Sequence, residues 1–515
     1  MSRQASGPHA LPPGTTTLVG RVRLSGPWSH DDVRADHFTV SPRGRPWALE
    51  GFLVSTGIGR LVQKAVDVRD EEVAALIWSC AYFFFVLAAY FVIRPIRDAM
   101  GIAGGVDNLA WLFTGTLVGM LLLHPVFTFL VKRYPRPTFV AFIYRFFVLN
   151  LVGFYALFQF ADGDQSVWVA RVFFIWTSVF NLFVVSIFWS FMTDVFQPSQ
   201  GKRLFGFIAV GGTIGALTGS AITGALVAVL GPVTMLLVSA ALLETARWAS
   251  RLLSRHEGAL AEVVDEDETA TAADQKVLEA TDPEERDREV IGGGVLDGIR
   301  NVLRSPYLLG IAAFMALFTI VSTFLWFHLM HIVDMVFADD PEGQTRLFAI
   351  MEIAVQSMTL VTQLFLTGRI LRWLGIGLAL AFLPVVSLIG FGILGIAPVL
   401  IVVVLFQVFR RAANFAIQRP AREVLYTVLP RTDKWKAKNF NDTFVYRLGD
   451  QVGAWSHHGL MVTLGLGLSA VAFTMVPVSI LWLFLALWLG KRHREYGDSG
   501  PQLVPLKKLA EPERV

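Results

Sequence analysis

The sequence has little charge and almost no cysteine. Asp, Glu, Lys and Arg make up 17% of the 515 residues, whereas soluble domains have about 25%. The 44 basic and 41 acidic residues leave a formal net charge of +3, without the basic excess that is typical of nucleic-acid binding. The single cysteine, Cys80, excludes an intrachain disulfide and a cysteine-rich metal site. An ordinary soluble domain and a nucleic-acid partner are therefore not expected.

Catalytic motifs are also missing. The sequence has no nucleophile elbow, no His-Glu-x-x-His and no cysteine pair, so no motif indicates an enzymatic reaction. Glycines recur between residues 206 and 224, but a phosphate loop would need a strand before them and Lys with Ser or Thr after them. Close packing of helices explains these glycines better. We expect neither enzymatic activity nor a cofactor.

Long apolar runs dominate the sequence instead. Hydrophobic residues make up 54% of the chain, and each run is close to the ~20 residues that a helix needs to cross a bilayer. The pattern predicts an all-α integral membrane protein with about twelve transmembrane helices in two six-helix bundles. We number the predicted spans 1 to 12 in chain order, at about 74–93, 109–131, 138–160, 167–193, 204–229, 231–248, 307–333, 346–366, 374–394, 396–418, 443–465 and 468–490.

Polar stretches flank and separate the two sets of spans. We predict five parts: an N-terminal segment at 1–70, a bundle at 71–250, an acidic linker at 251–304, a second bundle at 305–490 and a tail at 491–515. The first segment is expected to be largely disordered. Near residues 58–66 it contains either an amphipathic helix on the membrane surface or a plain soluble helical turn.

Basic residues alternate between loops, which predicts the orientation. Lys and Arg concentrate after spans 2, 4, 8 and 10 and in the tail, whereas the loops after spans 3, 5, 7, 9 and 11 carry no cation. Because cytoplasmic loops are enriched in Lys and Arg, we expect a multi-pass protein of the cell inner membrane with both termini and the linker in the cytoplasm. Arg94, Arg97 and Arg346 depart from this pattern.

Ionisable residues inside spans are the best candidates for function, because each costs about 2.5 to 3.5 kcal/mol at the centre of a span. Eight arginines outnumber six acids among them, and guanidinium groups bind carboxylate or phosphate in a two-pronged geometry. Arg171, which can reach the membrane interface, and Arg410 and Arg411 receive less weight than the other five arginines. An anionic substrate is therefore expected, although Arg94 and Asp98 could instead form a local ion pair. The substrate-binding candidates are Arg94, Arg97, Arg145, Arg422 and Arg447, and the candidates for coupling or gating are Asp98, Asp194, Glu352, Glu423, Asp442 and Asp450.

Histidines near the end of span 7 raise a further alternative. His328, His331 and Asp334 lie three residues apart, so metal ligation or proton coupling is conceivable. Three ligands on one wide arc of a helix form a poor tetrahedral site. We therefore favour an ordinary hydrated helix end and expect no metal site.

Several short motifs resemble a known transporter family. Residues 90–98 (YFVIRPIRD), 188–194 (FWSFMTD), 201–205 (GKRLF), 420–423 (PARE) and 446–449 (YRLG) resemble signatures of the ATP/ADP antiporter family, and the basic loops after spans 2 and 8 resemble the inner-loop motif of the major facilitator superfamily. The resemblance implies a twelve-span fold and nucleotide exchange. It also implies glutamates in spans 4 and 7, which are missing from residues 176–181 (WTSVFN) and 324–327 (FLWF).

Two functions from different classes remain open. The first is a secondary active transporter that moves an organic anion, with a nucleotide as one candidate, by alternating access. The second is a non-transporting membrane sensor or scaffold. Charges inside the spans favour the transporter, since a scaffold has no need for them. We expect a small anionic substrate and the lipid bilayer as partners, no nucleic acid, and a monomer.

Overall fold

The computed structural model describes residues 68–133, 136–196, 198–255, 302–303, 305–338, 340–429, 437–438 and 440–498. The predicted disorder and amphipathic helix of the N-terminal segment, most of the acidic linker and the end of the tail lie outside these residues.

All regular structure in the described residues is helical, which confirms the all-α prediction. The α-helices are Asp70–Ala103, Leu109–Arg133, Arg136–Phe160, Asp164–Val195, Pro198–Ser254, Pro306–Val336, Pro341–Phe365, Thr367–Ile396, Leu400–Ala413, Arg419–Leu425, Tyr446–His458 and Leu468–Asp498. A 3₁₀ turn covers Val106–Asn108, and π-helical turns cover Asn414–Gln418, Asn441–Val445 and Gly459–Thr463.

The helices supply the twelve predicted spans. Ten helical segments in the described residues are long and apolar enough to cross a membrane. One of them, Arg203–Ser254, contains both span 5 and span 6. Gly231 separates the two with a φ of 73°, a conformation that glycine adopts without steric cost. Span 11 is not among the ten, and its helix Tyr446–His458 carries several charged and polar side chains.

One hydrophobic core lies within the first set of spans, and a second core lies mainly in the second set but also contains Leu112 of span 2 and Phe174 of span 4. In the first core Tyr82 of span 1 packs edge-on against Phe188 of span 4, with ring centroids 5.0 Å apart. In the second, Phe314 of span 7 contacts Trp482 of span 12 at 5.6 Å. Such aromatic pairs add about 0.5 to 1.5 kcal/mol beyond the burial of their surface. The exact boundaries proposed for the domains stay a prediction.

The glycines of span 5 lie against the backbone of span 1. A Cβ atom added at Gly211 would lie 2.8 Å from the carbonyl oxygen of Cys80, and Gly215 and Gly219 approach span 1 still more closely. Only glycine permits this distance between two helices. The helix-packing interpretation of the glycine pattern is confirmed.

The two halves of the molecule meet near the side that carries Asp107, which lies in the turn between spans 1 and 2. We call this side of the molecule the Asp107 end and the opposite side, which carries the basic loops, the basic end. Thr114 of span 2 donates to Oε1 of Gln451 in span 11 at 3.0 Å and accepts from Nε1 of Trp455 at 3.1 Å. Trp111 packs edge-on against Trp455 with centroids 4.7 Å apart. Spans 2 and 11 therefore join the halves on this side.

Candidate functional site

A cavity of about 350 Å³ lies between the two halves. Spans 1, 2 and 4 contribute side chains from the first half, and spans 7, 8, 10 and 11 contribute side chains from the second. Five arginines and three acids line it, which leaves an excess of two positive charges. The charged residues are Arg94, Arg97, Arg410, Arg411 and Arg447, with Asp98, Glu352 and Asp450.

Glu352 joins the halves through arginines on both sides. It is 2% exposed and accepts two hydrogen bonds from Arg411 of span 10, one of them 3.0 Å long from Nη2 to Oε2. Nε of Arg94 in span 1 lies 3.4 Å from Oε1 of the same carboxylate. A bidentate contact with a guanidinium is a strong, oriented interaction. Arg94 is thus held against the second half of the molecule.

Arg97 is positioned by three neighbours within the first half. Its Nη1 donates to Asp98 at 2.9 Å, and its Nε donates to the Ser178 hydroxyl of span 4 at 3.1 Å. The guanidinium lies 3.9 Å above the ring of Phe174, within the range of a cation–π interaction. Among the described residues, Asp98 forms its ion pair with Arg97 rather than with Arg94. The alternative of a local Arg94–Asp98 pair is therefore not what the structure shows.

Arg410 of span 10 differs from the other arginines of the cavity. It is 1% exposed, and its Nε and Nη2 have no hydrogen-bond acceptor among the described residues. The guanidinium lies 5.7 Å from the ring centre of Phe318. A buried donor left without a partner costs about 1 to 3 kcal/mol, and more when it is charged. Arg410 lines the cavity, so these donors become available to an anionic ligand once the side chains that cover them move.

Two uncharged amides adjoin Arg410 along span 10. Oε1 of Gln407 and Oδ1 of Asn414 are also buried without a hydrogen-bond donor among the described residues, and both side chains line the cavity. Their spacing of three and four residues from Arg410 places them on the same side of a helix. This side of span 10 presents a cation and two amides to one volume.

Arg447 and Asp450 contribute the charged groups of span 11. Nη1 of Arg447 lies 3.5 Å from Oδ2 of Asp450, and Thr323 of span 7 donates to Oδ1 of Asp450 at 3.3 Å. Arg447 is the more exposed of the two, with 38% of its side chain accessible. This pair connects spans 7 and 11 at the cavity.

The structure does not bring the other predicted site residues to the cavity. Arg422 is buried in the helix Arg419–Leu425 outside the lining, and Glu423 forms an ion pair with Lys438 at 2.6 Å. Asp194 and Asp442 are exposed near the basic end. Arg145 is exposed on span 3 and lines a separate groove. The cavity therefore contains six of the eleven candidates.

Sequence reasoning missed the neutral side chains of the cavity and gave little weight to Arg410 and Arg411. Hydroxyl, amide and aromatic groups line it, contributed by Tyr90, Ser178, Asn181, Trp326, Tyr446 and Gln451. Such residue types also occur in ordinary helix packing, so the sequence offers no signal to separate them. Charge was the only usable marker of a polar cavity.

The histidines of span 7 contact backbone carbonyl groups and His457 of span 11. His328 lies 2.9 Å from the oxygen of Phe324 and 3.1 Å from that of Leu468, and 3.3 Å from Nε2 of His457. Nε2 of His331 lies 3.8 Å from Asp107 of the first half. Within the described residues no group of three His, Cys, Asp or Glu side chains is arranged to hold a metal ion.

The sequence profile of the Major Facilitator Superfamily matches residues 65–419. The chain belongs to this superfamily. It is a multi-pass membrane protein with the fold of these transporters, which confirms the broader part of the resemblance. None of the curated protein sequences compared with this chain matches it, and the narrower ATP/ADP antiporter assignment stays a prediction.

Solved structures support the same fold at low sequence identity. An auto-inhibited POT family peptide transporter is 14% identical with a TM-score of 0.53, over 85% of this chain and 99% of its own. The inward-open xylose transporter XylE from E. coli is 13% identical with a TM-score of 0.52, over 83% and 99%. A bacterial metal transporter is 12% identical with a TM-score of 0.51, over 82% and 98%. The similarity to superfamily members concerns architecture and not substrate.

Proposed function

We propose that this superfamily member is a secondary active transporter of a small organic anion. Its two halves would alternate in access around the central cavity. The observation that carries the proposal is the surplus of arginine in that cavity, five guanidinium groups against three carboxylates. Buried charges inside a membrane protein are costly and are retained where they bind a substrate or a partner.

The arrangement of the charges sharpens this argument. Each cavity carboxylate lies within ion-pair distance of an arginine: Glu352 contacts Arg411 and Arg94, Asp98 contacts Arg97, and Asp450 lies near Arg447. Arg410 has no such carboxylate among the described residues. A substrate carboxylate or phosphate would supply the missing acceptors. We therefore add Arg410 to the proposed binding residues.

The size of the cavity bears on the choice of anion. Ligand sites range over about 300 to 1,000 Å³, and the cavity, at about 350 Å³, is at the small end. A nucleotide stays a candidate because of the antiporter-like motifs and because the aromatic residues Tyr90 and Trp326 line the same space. Where those motifs lead us to expect glutamates, Ser178, Asn181 and Trp326 face the cavity. ATP and ADP are therefore included among the substrates to be tested, but the proposal does not depend on ATP/ADP exchange.

We further propose that the described conformation is closed on the outer side of the cell inner membrane. The hydrogen bonds of Thr114 and the Trp111–Trp455 contact join the halves toward the Asp107 end. If the basic end is cytoplasmic, as its loops predict, alternating access implies that the cavity would open to the cytoplasm in this state. The ion pairs made by Asp98, Glu352 and Asp450 are the proposed elements of coupling or gating, because all three carboxylates line the cavity between the two halves.

Uptake into proteoliposomes tests the proposed function. The purified chain should accumulate at least one labelled organic anion from a panel of nucleotides, phosphate esters and carboxylates, and unlabelled anion should compete. A matched pair of variants tests the role of the cavity. Arg410→Gln removes a cavity arginine and should reduce uptake, whereas Arg372→Gln removes an exposed arginine outside the cavity and should not. A correctly folded protein that transports no member of the panel would favour the sensor or scaffold alternative.

A further inference from the structure

A second cavity opens on the side of the first half, away from the central cavity. It has a volume of about 590 Å³ and lies between spans 3, 4 and 6. It shares no lining residue with the central cavity. Phe142, Phe146 and Leu149 form an exposed apolar wall, and Arg145 and Arg251 stand beside it. We call this cavity the Arg145 groove.

Both guanidinium groups of the groove are exposed and lack a carboxylate partner within the described part of the chain. Arg145 lies nine residues into the helix Arg136–Phe160, about 13 Å along its axis at 1.5 Å per residue. Arg251 lies in the last turn of the helix Pro198–Ser254. A cation on the apolar outer surface of a span is costly unless an anion or water reaches it.

We propose that the Arg145 groove binds an anionic phospholipid. The headgroup phosphate would accept hydrogen bonds from Arg145 and Arg251, as basic pockets between spans do for anionic lipids, while an acyl chain would cover Phe142, Phe146 and Leu149. One feature favours a lipid over free phosphate. The groove pairs the cations with a large apolar wall, which an acyl chain would cover and free phosphate would not.

The proposal gives Arg145 a role outside transport. Sequence reasoning placed Arg145 among the substrate ligands because it is a charge inside a span. Its exposed position on span 3, together with Arg251 on span 6, fits a contact with the surrounding bilayer instead. Because the two cavities have separate linings, this inference stands or falls independently of the proposed substrate.

Native mass spectrometry of the full chain in detergent tests the proposal. We expect phosphatidylglycerol to be retained in preference to phosphatidylcholine. The double variant Arg145→Gln/Arg251→Gln should bind phosphatidylglycerol at least about tenfold more weakly, since it loses two charge-assisted contacts. The control variant Arg372→Gln, altered at another exposed arginine, should retain the lipid like the unmodified protein.

Further arms of the experiment separate the possible outcomes. Equal retention of phosphatidylglycerol by the double variant and the unmodified protein would overturn the proposal. Displacement of the lipid by equimolar inorganic phosphate would assign the groove to a free anion and would also overturn it. If the double variant does not fold, Arg145→Lys/Arg251→Lys replaces it, because lysine keeps the charge but lacks the planar fork of the guanidinium group. The lysine variant should bind phosphatidylglycerol more weakly than the unmodified protein binds phosphatidylglycerol, but more tightly than the unmodified protein binds phosphatidylcholine.

Discussion

Arg410→Met should weaken anion binding while leaving the fold intact or more stable. The unmodified guanidinium is 1% exposed and keeps Nε and Nη2 without acceptors among the described residues, so removing it relieves a penalty of about 1 to 3 kcal/mol. The same change removes charge-assisted hydrogen bonds to a bound anion worth about 1.5 to 3 kcal/mol, which corresponds to roughly ten- to a hundredfold in apparent affinity.

Two assays on one preparation measure these opposite effects. Thermal unfolding without substrate should give an unchanged or higher midpoint, and the concentration that half-saturates uptake should rise at least about tenfold. Arg372→Met, which alters an exposed arginine outside the cavity, should change neither value. A lower midpoint together with unaltered affinity would refute the reasoning, because it would show that Arg410 stabilises the fold and does not contact the anion.

Three further predictions concern the contacts around the cavity. Glu352→Gln leaves two arginines with a neutral partner and should destabilise the protein by about 3 to 5 kcal/mol; adding Arg411→Gln should recover part of the loss in thermal unfolding, and additive losses would contradict the pairing. Thr114→Val removes the hydrogen bonds between spans 2 and 11, so a cysteine placed in the cavity should react faster with an impermeant thiol reagent from the Asp107 end; an unchanged rate would show that this contact does not close the cavity. Gly215→Ala should lower the unfolding midpoint more than Gly153→Ala, whose added Cβ meets nothing within 4 Å, and equal midpoints would refute close packing of span 5.

The fold was largely predictable from the sequence because the bilayer imposes a simple length and polarity requirement on each span. Span 11 shows that polarity alone is not decisive. Its helix Tyr446–His458 is polar enough to be missed by a hydropathy criterion, yet the preceding and following apolar residues and the charge pattern of the loops predicted a span there. The sequence also predicts the break at Gly231, because a Gly-Pro pair separates two apolar runs there.

The site was predictable only in part. Arg94, Arg97 and Glu352 could be found because charge inside a span is rare. The sequence analysis favoured Arg422 over Arg410, whereas the structure places Arg410 in the cavity lining and Arg422 outside it. The π-helical turn Asn414–Gln418 lies between the two and interrupts the α-helical register. A helical wheel drawn with one constant period cannot represent that shift.

Competition for uptake tests the central claim, that the cavity binds an organic anion, most directly. In proteoliposomes that contain the unmodified chain, labelled anion uptake should be saturable, should be inhibited by unlabelled anions but not by neutral sugars or organic cations, and should require about tenfold more substrate in Arg410→Met. Saturable transport of a neutral or cationic compound, with an affinity that Arg410→Met leaves unchanged, would contradict the account.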